Sequence, residues 1–477
     1  MRKTKIVCTL GPATDREGVL REMLLAGMNV ARFNFSHGTY EEHKARMDEL
    51  VRLRERYDLP VATMLDTKGP EIRTCNFKEG SVMLVEGQEF CLTTEDVEGD
   101  NEQVSVTYKG LPRDVKVGSE VLIDDGLIAM EVIHKTDTNV YCRVKNGGKV
   151  SNHKGINLPG TEVSMEFLSE KDKEDLLFGI SQDFDFVAAS FTRNAEDVNE
   201  LRQFLNENGG EKIRIISKIE NAQGVANIDS IIEASDGIMV ARGDMGVEIP
   251  NEEVPIIQKM IIKKVYKAGK IVITATQMLD SMMHNPRPTR AETTDVANAI
   301  YDGTSAVMLS GETAAGKYPV ESLKTMIRIA ERIESDIDYE KRFQKIQTEG
   351  QTSVTDAISH ATCTMAHDLG AKAILTVSKS GFTARMISRY RPAIMIVGTS
   401  PSRKACRQMN LSWGVMPIYL SEKANTFELL DGAADLAMAR GLVDLGDLVV
   451  ITAGIPIGAT GSTNMVKVHT IGEKMTL

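Results

Sequence analysis

The sequence predicts an α/β protein in three parts: a (β/α)8 barrel, an all-β lid domain inserted into it, and a C-terminal α/β open-sheet domain. Three observations predict it. Eight short, nearly continuous apolar runs recur, most starting roughly 25 to 35 residues after the previous one, with helix-period segments between. Runs without polar alternation are strands buried on both faces, as in a parallel sheet, and eight such units close a barrel. The spacing breaks once, by about 120 residues, where period-two alternation takes over; after about residue 345 the strand–helix rhythm starts again.

The barrel runs are KIVCTL (5–10), MNVARFNF (28–35), VATMLD (61–66), FDFVAASF (184–191), IRIISKI (213–219), DGIMVA (236–241), KIVITA (270–275) and SAVMLS (305–310). Segments such as EDVNELRQFLNEN and EEVPIIQKMIIKKVYKAG carry the helical period between them. Residues 1–70 and 167–345 are therefore assigned to the catalytic barrel. The insert, 71–166, holds SVMLVEGQEFCLTT, QVSVTY, GSEVLIDDGLIAMEVIH and NVYCRVKNGGKV. Alternation with Gly and Asp-Gly turns marks a small all-β domain, hung over the end of the third strand where a lid would sit. Residues 346–477 supply five further strands, AKAILTVSKSG, AIMIVGTS, GVMPIYL, DLVVITAG and MVKVHTIG, most of them separated by helical segments.

Composition narrows the function. The chain has 477 residues, 42% apolar and 26% charged, with a net charge of -11. No apolar run approaches the ~20 residues of a membrane span. The start, MRKTKIVCTL, is basic, but its apolar run stops at Gly11-Pro12, too short for a secretory signal. No basic block marks a nucleic-acid partner. Acidic bulk with isolated Arg and Lys suits a soluble enzyme that handles small anions. The six cysteines (8, 75, 91, 142, 363 and 406) show no C-x-x-C spacing, which argues against structural zinc and a disulfide framework. A reducing cytosol, hence a cytoplasmic location, is expected.

In barrels the chemistry lies at the carboxyl ends of the strands. The second run brings Arg32, Asn34, Ser36 and His37; the third brings Asp66, Thr67 and Lys68, then Glu71 and Arg73. The fifth brings Lys218, Glu220 and Asn221, the sixth Arg242, Gly243 and Asp244, the seventh Thr276 and Gln277, the eighth Ser310, Gly311 and Glu312. A single carboxylate at a strand end is usually a helix cap. Glu220 and Asp244 end neighbouring strands, about 5 Å apart. With no Cys or paired His, they suit a hard oxygen-ligated cation such as Mg2+, and equally a salt bridge to Lys218 or Arg242. Arg32, Arg73 and Lys218 beside that pair read as a phosphate clamp rather than rim charges. Asn34, Ser36, Asp66 and Thr67 read, taken alone, as capping residues, and His37 as structural.

One stretch imitates a nucleotide-phosphate loop. SGETAAGKYP, residues 310–319, has Gly311, four residues, then Gly316 and Lys317. The pattern needs Ser or Thr next, and Tyr318 stands there, followed by Pro319 at the first turn of a helix. It is a barrel loop after the eighth strand.

NFSHG, DTKGPEIRT, SKIEN, VARGDMGVEIP, TATQMLDSM and NPRPTRAETTDVANAIYDGTSAVMLSGETAAGKYPVE resemble the pyruvate kinase family, in order and along the whole chain. The resemblance implies phosphoryl transfer from phosphoenolpyruvate to ADP, giving pyruvate and ATP, with Mg2+ (or Mn2+) and K+ as cofactors, in a homotetramer. It implies Glu220 and Asp244 as Mg2+ ligands, Arg32 on the substrate phosphate, and Gly243 with Asp244 on its carboxylate. Lys218 answers the transferring charge, and Thr276 lies near the face where the enolate is protonated. Asn34, Ser36, Asp66 and Thr67 match the K+ ligands, and Glu71 accords with K+ dependence, since the K+-independent branch tends to carry Lys there. Asn34, Ser36, His37, Arg73 and Lys154 match nucleotide contacts, the site lying between barrel and lid. Ser378, Lys379, Ser380, Gly381 and Thr383 match an effector-phosphate loop that TAGIPIGATGST could close over. Phe382 stands where many fructose-bisphosphate-regulated members have Arg, which favours a monophosphate. The chain stops at Leu477, without the extra C-terminal domain of some bacterial members. Alternative readings are a dikinase, for which no phosphohistidine domain is present, and a non-catalytic phosphometabolite-binding regulator of the same fold.

Overall fold

A computed structural model describes residues 2–344, 353–455 and 461–475. All eight apolar runs are strands, Lys5–Thr9, Val30–Asn34, Ala62–Asp66, Phe186–Ala189, Arg214–Ile219, Gly237–Ala241, Ile271–Ala275 and Ala306–Leu309, in one closed barrel. Every neighbouring pair is parallel, and the first strand closes on the eighth through Lys5↔Ala306 to Cys8↔Leu309. The absence of alternation has a direct cause. Val7, Met64, Phe186, Ile216, Met239, Ile273 and Met308 pack in one cluster inside the barrel. Ile6, Leu65, Val187, Ile215, Ile238 and Val272 belong to a second cluster with residues of the surrounding helices. Both faces of each strand lie in apolar surroundings.

Helix starts are set by side-chain caps. Thr39, Ser169 and Thr289 close capping boxes with Glu42, Asp172 and Glu292. Asp172 is fully buried and also accepts the Gly69 N–H at 3.1 Å, fastening the loop after the third strand.

The insert forms a seven-stranded sheet of mostly antiparallel strands and a separate two-stranded ribbon. Two features depart from a plain antiparallel all-β lid. Glu89–Thr93 and Gln103–Ser105 pair in parallel, and Leu111–Asp114 is a helical turn started by Pro112. The Asp-Gly turn is Asp124-Asp125-Gly126, all three at positive φ.

The C-terminal sheet has five strands, four parallel and the last, Met465–Thr470, antiparallel at one edge. The helix Arg403–Met409, on one face of that sheet, meets the amino end of the barrel. There Arg407 pairs with buried Asp185 at 2.9 Å, and Leu411 joins the barrel's inner apolar cluster. No described helix is long and apolar enough to cross a membrane, and all six cysteines are free.

Candidate active site

Four charged side chains carried by the second, third and fifth strands meet in a buried cluster at the carboxyl end of the barrel. Arg32 donates from Nε to Asp66 Oδ2 at 2.6 Å and from Nη1 to Thr9 Oγ1 at 2.9 Å. Lys218 Nζ donates to Ser190 Oγ at 2.8 Å, and lies 3.2 Å from Asp66 Oδ1 and 2.9 Å from Glu220 Oε1. Burial opposes the Lys218 charge, but Asp66 and Glu220 outweigh it and hold the ammonium above the ordinary lysine range. Burial likewise opposes the Asp66 carboxylate, and Arg32 with Lys218 overcomes it, so this carboxyl stays ionised below its usual range.

Glu220 behaves differently. Burial first, then the like charge of Asp244, pushes its pKa up to about 8 against the pull of Lys218. Its Oε2 accepts the Phe191 N–H at 2.6 Å, and its buried Oε1 is in ion-pair contact with Lys218 Nζ at 2.9 Å. Asp244 lies in the first turn of the helix Arg242–Glu248, which begins directly after the sixth strand. A buried carboxylate beside a second carboxylate, with no thiol or imidazole, fits a hard divalent cation. Among the described residues no group of three or more His, Cys, Asp or Glu side chains could hold a metal. Magnesium needs no such group, because it fills its shell with substrate oxygens and water.

The seventh strand ends in strain. Thr276 and Gln277 have φ of 68° and 53°, costly for a β-branched residue. Arg242 holds the turn: Nη2 donates to Thr276 O at 2.7 Å, Nε to Ala275 O at 3.2 Å and Nη1 to Asp295 Oδ1 at 2.6 Å. Thr276 Oγ1 then accepts the Gly243 N–H at 2.8 Å. Thr276, Gly243 and Asp244 are thereby brought together, with the Gly243 donor engaged by the threonine.

Between barrel and lid lies a cleft of about 590 Å³, lined by residues that include Glu71, Arg73, Asp124, Lys154, Asn221 and Asp244. Its cations are paired internally. Arg73 meets Glu71 at 2.6 Å and donates to His153 O at 2.7 Å, and Lys154 donates to Asp124 at 2.8 Å. Asp125 is raised in pKa by burial and by Asp244. Asp244 lines this cleft, and its charge also reaches Glu220 and Lys218 in the buried cluster. The loop after the second strand turns on Asn34, whose Oδ1 accepts the Ser36 N–H at 3.2 Å. His37 is exposed, and its carbonyl meets His43 Nε2 at 2.9 Å; it does not line the cleft. Thr67 Oγ1 accepts the Ser190 N–H at 3.1 Å, and both Asp66 oxygens are engaged within the cluster.

The family model described as pyruvate kinase, barrel domain, matches residues 1–323. The chain belongs to the pyruvate kinase family. The model described as pyruvate kinase, alpha/beta domain, matches residues 356–469. A pyruvate kinase of Clostridium acetobutylicum is 50% identical over 472 residues, covering 99% of this chain and 100% of that protein. One of Staphylococcus aureus is 51% identical over 477 residues, covering 100% of this chain and 81% of its own length. The crystal structure of a pyruvate kinase from Cryptosporidium parvum superposes with a TM-score of 0.94 at 40% identity, covering 98% of this chain and 96% of that one. The chain is thus a phosphotransferase, and none of these relatives supports a non-catalytic regulator.

Within this family fold, SGETAAGKYP serves the barrel. Gly311–Ala314 is a helical turn, and Thr313 Oγ1 donates to Thr9 O at 2.8 Å. Buried Glu312 accepts the Ser310 and Leu279 N–H groups at 2.7 and 3.0 Å, while Lys317 is exposed. In the C-terminal domain, Ser378–Ser380 follow the strand Ala373–Val377, and Gly381 at φ 75° opens the helix Phe382–Ser388. Thr383 is 1% exposed and its hydroxyl meets that of Thr463 at 2.9 Å. Part of TAGIPIGATGST, residues 456–460, lies outside the described residues.

Sequence position assigned no role to Ser190 and Phe191, or to Arg242 beyond a salt bridge to the Glu220–Asp244 pair, whereas it pairs with Asp295. Ser190 and Phe191 follow the fourth strand, and the strand-end rule applied there would have found them. Arg242 stood at the end of the sixth strand, but its partners, 33 to 53 residues away, left no local signal.

Proposed function

We propose that this chain transfers the phosphoryl group of phosphoenolpyruvate to ADP, giving pyruvate and ATP, at the carboxyl end of its barrel. The observation that carries the reading is the buried Arg32–Asp66–Lys218–Glu220 cluster beside Asp244. Phosphoryl transfer asks the protein mainly for positioning and for positive charge where the equatorial oxygens become negative. Arg32 and Lys218 supply that charge from a water-poor site, where it acts strongly. Glu220 and Asp244 would hold Mg2+ or Mn2+, which when bound would supply positive charge to offset that of the substrate. Asn34, Ser36, Asp66 and Thr67 would hold K+, the Asp66 carboxylate sharing its oxygens with Arg32 and Lys218. The Gly243–Asp244 backbone would take the substrate carboxylate, for which Thr276 Oγ1 releases the Gly243 N–H. Thr276, kept in its strained turn by Arg242, would then face the enolate carbon.

ADP would occupy the cleft under the lid, exchanging the Glu71 and Asp124 partners of Arg73 and Lys154 for its phosphates; Asn34, Ser36 and His37, which lie outside the cleft lining, would contact it only beyond the cleft's barrel edge. The proposed division of labour is a catalytic barrel (1–70 and 167–345), a lid (71–166) and a regulatory domain (346–477), in a cytoplasmic homotetramer. A phosphorylated effector, a sugar monophosphate or AMP in preference to fructose bisphosphate, would bind Ser378, Lys379, Ser380, Gly381 and Thr383. Its helix is short, and the Thr383–Thr463 hydroxyl pair is what ties the two loops at that place.

The test is pyruvate formation from phosphoenolpyruvate and ADP, with Mg2+ and K+ each omitted in turn. Turnover that depends on both ions and is abolished by Glu220→Gln is expected. Undiminished turnover without a divalent cation would overturn the reading.

A further inference from the structure

One seven-residue helix reaches both halves of the proposed reaction. Arg242–Glu248 carries Gly243 and Asp244 in its first turn and ends at Glu248. Asp244 and Glu248 stand four residues apart, so they share one face of the helix, about 6 Å from each other along its axis. Both line the cleft between barrel and lid. Asp244 has its proposed part in holding the metal; Glu248 has no part in the reaction as described. Its Oε1 accepts from Asn157 Nδ2, on the lid, at 3.1 Å. Among the described residues this is the one hydrogen bond between two side chains that joins residues 71–162 to the barrel. The Leu158 backbone N–H supports the same carboxylate. The Asp124–Gly126 turn of the lid packs beside it: a Cβ on Gly126 would stand 3.8 Å from Val247 Cγ1.

On the lid side, Asn157 ends the strand Gly155–Asn157, which pairs with Ile72–Arg73 through Gly155↔Arg73 and Ile156↔Ile72. Lys154 precedes that strand and is fastened to the same ribbon. Its N–H donates to Thr74 Oγ1, and its carbonyl accepts the Thr74 N–H, both at 2.9 Å. Arg73 Nη1 donates to His153 O at 2.7 Å. The two cations proposed for the ADP phosphates are therefore built into one body with Asn157, and three extended residues, about 10 Å, separate Lys154 from it. Both crossings of the chain between barrel and lid are held at the loop after the fourth strand. A Cβ on Gly69 would stand 2.8 Å from Ser190 Cβ and 3.1 Å from Phe191 Cδ2. Arg193 donates to Val163 O at 3.1 Å and to Met165 O at 2.9 Å. A lid held only at that base keeps a rotational freedom; a tie at a separate point, Glu248, removes it.

We propose that Glu248 and Asn157 are a positioning pair that sets the lid cations Arg73 and Lys154 at a fixed distance from Asp244 and the Gly243 N–H. The path is continuous: one helical turn from Asp244 to Glu248, a 3.1 Å hydrogen bond, and one short strand from Asn157 back to Lys154. The pair acts through these groups and not on the reacting atoms. Phosphoryl transfer needs the attacking and leaving oxygens in line, and a displacement of about 1 Å can cost about 10²-fold in rate. The inference rests on the reading of the barrel end as the phosphoenolpyruvate site and of the cleft as the ADP site, and deepens it.

The experiment measures pyruvate formation over a grid of both substrates, together with Mn2+ binding to the substrate-free enzyme by water-proton relaxation. Glu248→Ala and Asn157→Ala should each lower kcat by about 10–100-fold. KM for phosphoenolpyruvate and Mn2+ binding should stay close to wild type, because the barrel half is untouched. Glu248→Gln keeps an acceptor oxygen for Asn157 Nδ2 and should retain most of kcat. The double alanine variant should lose no more than the slower single variant, since both remove the same bond. Wild-type kcat in either alanine variant, additive losses in the double variant, or a Glu248→Gln enzyme as slow as Glu248→Ala overturns the proposal. Loss of Mn2+ binding in Glu248→Ala overturns it too, because Glu248 would then act through the metal site. A wild-type enzyme that forms no pyruvate from phosphoenolpyruvate and ADP overturns the functional reading itself, whichever way the variants behave.

Discussion

Replacing Lys218 by methionine keeps the length of the side chain and removes its charge, and the cluster geometry says what should follow. In the resting enzyme the ammonium faces two carboxylates, at 2.9 and 3.2 Å. At an effective dielectric near 20 each attraction is on the order of 5 kcal/mol before desolvation. The charge is therefore already answered and adds little to ground-state substrate binding, which Arg32 can serve. As the phosphoryl group transfers, its equatorial oxygens demand positive charge, and a preorganised donor there is worth about 2.7–4 kcal/mol. Turnover should fall by about 10²–10³ while KM for phosphoenolpyruvate stays nearly constant. Breaking the buried pair should also destabilise the fold by about 3–5 kcal/mol. The thermal midpoint is measured first, and kinetics are recorded well below it. The assay couples pyruvate to a dehydrogenase and follows loss of reduced nicotinamide across a phosphoenolpyruvate series. A variant whose KM rises while kcat holds would refute the argument, since Lys218 would then merely bind substrate.

Glu71→Lys should relieve the K+ requirement by placing an ammonium near the Asn34–Thr67 oxygens; activity with K+ replaced by an organic cation reads this, and persistence of full K+ dependence counts against it. The same variant frees Arg73 from its 2.6 Å ion pair, so KM for ADP should change as well. Arg242→Lys removes the fork that spans Ala275 O, Thr276 O and Asp295, so kcat should drop with the strained turn released; an unaltered kcat would show that Thr276 holds its φ unaided. Buried Lys5 has its pKa lowered by burial, and then by Arg2, to about 7 from 10.5. The unfolded chain keeps Lys5 charged up to 10.5, so folding is penalised fully below pH 7 and progressively less as pH rises from 7 to 10.5. Lys5→Met should raise the thermal midpoint most at pH 6 and least at pH 10, and a gain independent of pH would contradict the shift. For regulation, substrate saturation is measured with sugar monophosphates and AMP; an activator that acts equally on Thr383→Val does not use that hydroxyl.

The architecture was legible in the chain because burial writes itself into local pattern. A strand with both faces in apolar surroundings shows a continuous apolar run, as KIVCTL and KIVITA do, and a lid strand with one wet face alternates. The eighth strand's loop was separable from a phosphate loop by Tyr318, by Pro319 after it and by its place behind the eighth strand. Glu220 and Asp244 were visible as a pair because adjacent parallel strands end side by side. What sequence could not specify is which partner each charge takes. Ser190 lies 28 residues from Lys218, and Phe191 lies 29 from Glu220, and only the barrel register brings them together. Leu411, an ordinary apolar residue by position, becomes part of the barrel's inner cluster once the C-terminal domain docks. The orientation of the Glu220 carboxylate is decided by the Phe191 N–H, turned onto it at a φ of 55°, and by the Lys218 ammonium. Local pattern records how deeply a residue is buried; the identity of its neighbours follows from long-range closure of the sheet, which no local pattern contains.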